Sequence, residues 1–244
     1  VKIVKDDLIS KKIESILSKG VSASSLSLFI KNPYLFYEQK ILGVDNKDES
    51  KYLDYMDQGT LIHRVIEKLY KPFIGKNLDV SNINFMKNQL QNESYNTFIE
   101  LYSKEPTGKN LIFIEVVKEY IENTLNFEFD QIKNKNSRIK IISLEKKLEY
   151  NLTIKNQNVK LKGIIDRIDL FNDEVRIIDY KSGNVNSGVL DIKNIDKVKK
   201  DHKYSYLLQL LFYKYLLGMN DAEIQIKEIG ICSLKKLSLI HISE

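Results

Sequence analysis

The chain is predicted to be α/β, with a helical lobe first and a mixed β-sheet holding one buried helix after it. Three observations carry the prediction. Apolar residues recur at helical spacing up to residue 137, β-branched runs take over from Arg138, and the runs Lys162–Asp169 and Val175–Gly183 close on a short polar turn.

In chain order, Asp7 to Lys19 sets Leu8, Ile9, Ile13, Ile16 and Leu17 on one side and meets Gly20 as a stop. Ser24 to Leu42 is a second helical run, interrupted at Asn32-Pro33, and Asp57 to Tyr70 a third. Two further runs, Asn82 to Tyr102 and Asn110 to Lys133, are parted by Glu105-Pro106-Thr107-Gly108. Strands then span Arg138 to Ile154 and Val159 to Leu170, joined through Asn156-Gln157-Asn158, with Val175 to Lys181 as the next partner. A polar loop leads to a helix from Tyr204 to Leu217 capped by Gly218, a strand from Glu223 to Leu234, and a last strand-like run from Leu237 to Ile242. Residues 1–137 thus form the helical lobe and 138–244 the sheet core, read as parts of one domain.

Composition sets the outer limits. With 244 residues, 43% hydrophobic and 29% charged, the chain is globular rather than a disordered tail. Its one cysteine, Cys232, excludes internal disulfides, a zinc ribbon and a four-cysteine iron–sulfur cluster, and suits a reducing interior. No apolar run reaches ~18 residues and no basic-then-apolar leader opens the chain, so the expectation is a cytoplasmic protein with no membrane span. Its opening on Val1 suggests a fragment of a longer protein. The net charge of +5 is compatible with a polyanionic partner. The basic stretch Lys193 to Lys203, broken by Asp196 and Asp201, reads equally well as a solvated loop.

The paired strands carry the chemistry. With Asn172 and Asp173 as the two loop residues, Asp166 faces Asp179 across the ladder, their Cβ atoms roughly 4.5 to 5.5 Å apart. Lys181, two residues past Asp179, points the same way. Like charges set opposite each other destabilise a sheet unless something offsets them, and a divalent cation is the expected answer. The tripeptide Asp-x-Lys is weak by itself, since it starts at Asp45, Asp179, Asp191 and Asp201, but only the copy at Asp179 sits inside an apolar strand. The competing reading is an internal ion pair, Asp179 with Lys181 or Asp166 with Arg167.

Two helical motifs add to this. In Gly59 to Glu67, His63 and Glu67 share one flank of a stripe made by Ile62, Val65, Ile66 and Leu69, and imidazole is a good metal ligand. In Tyr204 to Tyr213, Gln209 and Tyr213 share a face of a helix apolar nearly all round, so both need polar partners, from backbone or from a substrate phosphate.

Gly59 to Glu67, Glu145, Gly163-x-x-Asp166-Arg167-Ile168-Asp169, Ile178 to Gly183 and Gln209-x-x-x-Tyr213 follow the order seen in PD-(D/E)xK nucleases. The chain resembles in particular the nuclease domain of RecB/AddB-type helicase–nucleases, and Ser22 to Gly43 is similar to the first helices of that group. Two departures stand out. Asn32-Pro33-Tyr34-Leu35-Phe36 replaces the group's Cys-Pro-x-x-Phe, which with the missing later cysteines rules out its iron–sulfur staple, and Ile165 replaces the proline before Asp166. The resemblance implies a restriction-endonuclease-like mixed sheet flanked by helices. It also implies a metal-dependent deoxyribonuclease, an exonuclease acting on DNA ends in recombinational repair. No Gly-x-x-x-x-Gly-Lys-Ser/Thr occurs, so an ATP-dependent helicase module or subunit would lie elsewhere.

The same resemblance assigns roles. Asp166 and Asp179 would hold Mg²⁺ or Mn²⁺, with His63 and the Tyr180 carbonyl completing the shell and Glu145 a candidate outer ligand. Lys181 would position or deprotonate the attacking water and stabilise transition-state charge, while Gln209 and Tyr213 would orient the scissile phosphate. Two alternatives stand beside this: a nuclease fold that no longer cuts and serves as a DNA-binding or scaffold module, and an unrelated α/β protein whose strand acids are merely ion-paired.

Overall fold

A computed structural model describes residues 6–44, 53, 55–191, 193, 195–235 and 238–242. Asp45 and Leu237, each named in a sequence expectation, lie outside them.

The first helices are set by local capping. Asp6 accepts from the Ile9 amide to open α1 (Asp7–Lys19), and Gly20 ends it at φ 111°. Ser22 caps α2 (Ala23–Lys31). Asn32 then turns the chain into the short α3 (Pro33–Phe36), accepting from the amides of Tyr34 and Leu35, each at 3.1 Å, ahead of proline in the first turn. The expected helix continuing to Leu42 is instead π-helical over Tyr37–Leu42 and stops at Gly43 in the left-handed region. Three longer helices follow: α4 (Tyr55–Tyr70), α5 (Val80–Tyr102), which opens on an Asp79/Asn82 capping box, and α6 (Lys109–Lys133).

The sheet has order β1-β2-β3-β4-β5, with β1 (Ile139–Ile154), β2 (Gln157–Phe171), β3 (Glu174–Lys181), β4 (Ile226–Ser233) and β5 (Ser238–His241). Among the described strands only β3 and β4 run parallel, joined by a crossover through the short α7 (Ile195–Val198) and α8 (Ser205–Asn220). Asn172 and Asp173 both take positive φ, 51° and 70°, as a two-residue type I′ turn requires. The β2–β3 ladder therefore runs from Phe171↔Glu174 to Arg167↔Ile178, the register expected from the sequence.

Gly218 does not cap α8. The helix runs on to Asn220, whose side-chain amide donates to the Leu216 carbonyl at 2.9 Å, and Asp221 is its C-cap.

Apolar burial forms two layers, one on each face of the sheet. On one face α4, α5 and α6 pack Leu61, Ile62, Ile66, Met86 and Ile121 against Ile139, Ile141, Ile178 and Tyr180. On the other, α8 packs Leu207, Leu210 and Leu216 against Leu148, Ile165, Ile177 and Ile231, joined by Ala23 of α2. Each such fully buried Leu or Ile contributes ~1.5–3 kcal/mol relative to exposure.

The two long strands change face midway. Leu144 packs with the α4–α6 layer while Leu148, of the same parity, lies in the α8 layer, and Ile165 and Ile168, of opposite parity, share the α8 layer. Glu145 and Asp166 stand at this switch, opposite each other in the register set by Leu144↔Arg167 and Lys146↔Ile165. Glu145 marks the kink with φ 46°, a strained value for a residue that carries a Cβ, and of the kind met where strands are bent to re-aim a residue.

Candidate metal centre

The face switch gathers acids from two strands under a helix. Asp166, on β2, is buried, and its Oδ2 accepts from the Tyr180 amide at 2.8 Å. Its Oδ1 lies 3.5 Å from Nδ1 of His63, which α4 presents to the sheet. The same Nδ1 is 3.4 Å from Glu145 Oε1. Ligand atoms of His63, Glu145 and Asp166 all fall within 4.8 Å of one another.

Asp179 comes from β3, one step along the ladder beyond Arg167↔Ile178, and is buried on the side facing α8. Lys181 Nζ stands 2.7 Å from Asp179 Oδ2 and lies over the Tyr206 ring at 5.7 Å. The ion-paired reading of Asp179 and Lys181 thus describes a real contact. Asp166 and Arg167 are not such a pair, because adjacent strand residues point to opposite faces. Asp179 Oδ1 has no hydrogen-bond partner among the described residues.

Charge at this point is unbalanced. Burial, and then the Asp179 carboxylate, push Asp166 up to about 7 against the opposing pull of His63 and Lys181. Burial lowers His63, but the Glu145 contact and the carboxylates of Asp166 and Asp179 outweigh it and raise it to about 8. Lys181 is held above its ordinary value: burial opposes, and Asp179 and Asp166 prevail. The lysine is therefore an ammonium here.

These residues fit a hard divalent cation. The Glu145 and Asp166 carboxylates converge with the His63 imidazole, the buried Asp179 Oδ1 has no hydrogen-bond partner among the described residues, and carboxylate oxygens are the donors that Mg²⁺ and Mn²⁺ prefer.

The remaining expected residues are placed as follows. Gln209 Nε2 donates to the Tyr213 hydroxyl at 2.7 Å, so the two satisfy one another in the α8 layer. Burial and the nearby Asp179, Asp166 and Glu145 carboxylates raise the Tyr213 hydroxyl above its ordinary value, which puts it beside the acid cluster. Glu67 takes no part, being bonded to Arg64 at 2.8 Å. The Tyr180 ring faces the α4–α6 layer while its amide serves Asp166.

Sequence reasoning missed a buried network behind the centre. Fully buried Arg167 donates to Glu128 of α6 at 2.6 Å and to the Tyr180 hydroxyl at 3.1 Å, and lies 2.6 Å from Asp169. Arg176 grips Asp169 with two bonds of 2.9 and 3.0 Å, and Tyr70 donates to Glu128 at 2.8 Å. One signal was present: the register that pairs Arg167 with Ile178 also pairs Asp169 with Arg176.

A model of the PD-(D/E)XK nuclease superfamily matches residues 20–237. An uncharacterized protein of Rickettsia typhi is 30% identical over 96% of this chain and 24% of its own length, and one of Rickettsia conorii is 32% identical over 68% and 19%. A protein of Streptococcus agalactiae, named as one subunit of an ATP-dependent helicase/deoxyribonuclease, is 29% identical over 73% of this chain and 15% of its own. The chain spans a quarter or less of the length of these relatives.

Proposed function

The chain belongs to the PD-(D/E)XK nuclease superfamily, and from that premise we propose that it hydrolyses DNA phosphodiester bonds with Mg²⁺ or Mn²⁺ bound among Asp166, Asp179, Glu145 and His63. A nuclease-type role follows from the family. The finer reading is an exonuclease of recombinational repair, working beside an ATP-dependent helicase module, with residues 1–137 and 138–244 as two parts of one nuclease unit. The names of the streptococcal helicase/deoxyribonuclease relatives support that reading. Among the described residues no helix is long and apolar enough to cross a membrane.

The single observation carrying the proposal is the meeting of His63, Glu145 and Asp166 ligand atoms within 4.8 Å beside the unpartnered Asp179 Oδ1. A cation held there supplies acidified water and neutralises developing charge. Asp166 and Asp179 hold it, the Tyr180 carbonyl joins as a backbone ligand, and His63 fixes the flank toward α4. The Lys181 ammonium, kept charged by Asp179, stabilises negative charge on the phosphate, and Gln209 with Tyr213 orients that phosphate.

The test is digestion of linear and circular DNA in Mg²⁺ by wild type, Asp179→Ala and Lys181→Ala. Wild type cuts and both variants lose at least ~10²-fold in rate, the scale on which removing one charge-stabilising group acts; equal behaviour of all three overturns the proposal. The Asp179–Lys181 contact favours a second reading, in which the acids are only ion-paired. Calorimetric titration with Mn²⁺ decides it, since that reading requires no binding in wild type or in Asp166→Asn.

A further inference from the structure

Behind the acids, on the α4–α6 face of the sheet, the fully buried Arg167 guanidinium joins three elements at one cation. We propose that Arg167 is a positioning residue for the metal centre. It fixes the Tyr180 side chain, and with it the peptide that holds Asp166, while Glu128 and Tyr70 tie it to the helix that presents His63. The proposal rests on the metal-dependent nuclease reading and gives a cause for the geometry of its centre.

Connection through the strands is the first argument. Arg167 follows Asp166 on β2, and Tyr180 follows Asp179 on β3, so each points to the face opposite its acid and a side chain fixed there steadies the backbone from which the acid leaves. Arg167 Nη1 donates to the Tyr180 hydroxyl at 3.1 Å and to Glu128 Oε1 at 2.6 Å. Tyr180 passes this on twice. Its amide donates to Asp166 Oδ2 at 2.8 Å, and its ring stands edge-on to the His63 ring with centroids 6.3 Å apart.

Connection through the helix is the second. Glu128 accepts from the Tyr70 hydroxyl at 2.8 Å, and the Arg167 guanidinium lies over the Tyr70 ring at 5.0 Å. Tyr70 stands seven residues, about two turns, after His63 on α4, and so on nearly the same face. Anchoring one sets the approach of the other.

Energetics is the third. Replacing a buried ion network by apolar packing of similar volume is often neutral or stabilising, and Arg167 Nε adds a cost by having no hydrogen-bond partner among the described residues. The same two strands fill the α8 face with Ile165, Ile168 and Ile177. What the network adds is direction, since each bond keeps a narrow range of length and angle. Groups that orient metal ligands from behind act in this way, and losing one typically weakens metal binding roughly 10–100-fold.

The experiment titrates Mn²⁺ calorimetrically into the metal-free whole chain, with urea unfolding of the same samples. Tyr180→Phe keeps the ring and the peptide, removes only the hydroxyl, and weakens Mn²⁺ binding by about tenfold, as Arg167→Met does by at least that much. Arg167→Met with Glu128→Leu separates geometry from stability: its unfolding midpoint recovers toward wild type and its Mn²⁺ affinity does not. Ile83→Ala opens a cavity in α5, which supplies none of the network, so it lowers the midpoint but shifts Mn²⁺ affinity by less than about twofold. Wild-type affinity in Tyr180→Phe, affinity that returns with stability in the double variant, or an equal loss in Ile83→Ala overturns the positioning role. No Mn²⁺ binding by wild type overturns it together with the metal centre. The graded loss of affinity in a chain that leaves DNA intact in Mg²⁺ keeps the positioning role and overturns the nuclease reading instead.

Discussion

Arg167→Met removes a guanidinium that is fully buried and keeps most of its volume. Glu128 then loses its 2.6 Å partner and keeps one bond, from the Tyr70 hydroxyl, whereas Asp169 keeps both bonds from Arg176. The loss falls mainly on Glu128. Stranding one member of a buried pair costs about 3–5 kcal/mol, and the retained grip on Asp169 places this case near the lower end, about 3 kcal/mol. With a urea slope of roughly 3 kcal/mol/M, the unfolding midpoint of the metal-free chain falls by about 1 M. Arg167→Met with Glu128→Leu removes the stranded carboxylate, so the double variant recovers at least ~2 kcal/mol over the sum of the singles. Urea unfolding of wild type, both singles and the double measures this. A single-variant loss under ~1 kcal/mol, or strict additivity, refutes the reasoning that Arg167 and Glu128 stabilise chiefly by compensating each other.

Three further outcomes are expected. His63, raised to about 8 from 6.5, favours the folded state fully below its unfolded value and loses that contribution as pH rises through about 8, and the ionising Asp166, raised to about 7, penalises folding as pH rises above its unfolded 3.8. The metal-free chain therefore loses stability from acid to alkaline pH, and stabilisation by Mn²⁺ grows across the same range because bound protons must leave; melting curves with equal stabilisation at about pH 6 and about pH 8 contradict this. Asp166→Asn, which keeps an oxygen for the Tyr180 amide, raises metal-free stability at pH 8 by on the order of 2 kcal/mol while abolishing cutting; a lower melting temperature counts against the raised carboxyl. Gly163→Ala crowds Leu216 and Tyr213 and costs ~1–3 kcal/mol, whereas Gly59→Ala, with nothing within 4 Å in α4, gains ~0.5–1 kcal/mol in thermal unfolding; the opposite order of the two would sink the packing argument.

The hairpin was legible because its register is fixed locally. Two residues that tolerate positive φ, Asn172 and Asp173, leave one turn geometry, and counting outward from it sets every pair through Arg167↔Ile178. Gln209 and Tyr213 were legible by helical spacing, although the partner each required proved to be the other. The kink at Glu145 was not, since nothing in a β-branched run announces that two strands will cross from one layer to the next. Arg167 was misjudged for a related reason: its partner Glu128 lies 39 residues upstream on a helix face chosen by tertiary packing. Gly218 misled because Asn220 satisfies the carbonyl that a glycine turn would otherwise serve.

The crossing point of β1 and β2 has a consequence for how the molecule comes into being. Its acids are aimed by a bend that exists only once both hydrophobic faces are filled, with an imidazole contributed from above and an amide-hydroxyl couple from below. No half-assembled form can gather that set. A newly made or partly melted copy therefore lacks the gathered acids, and whatever chemistry the centre performs arrives last, together with the closed fold.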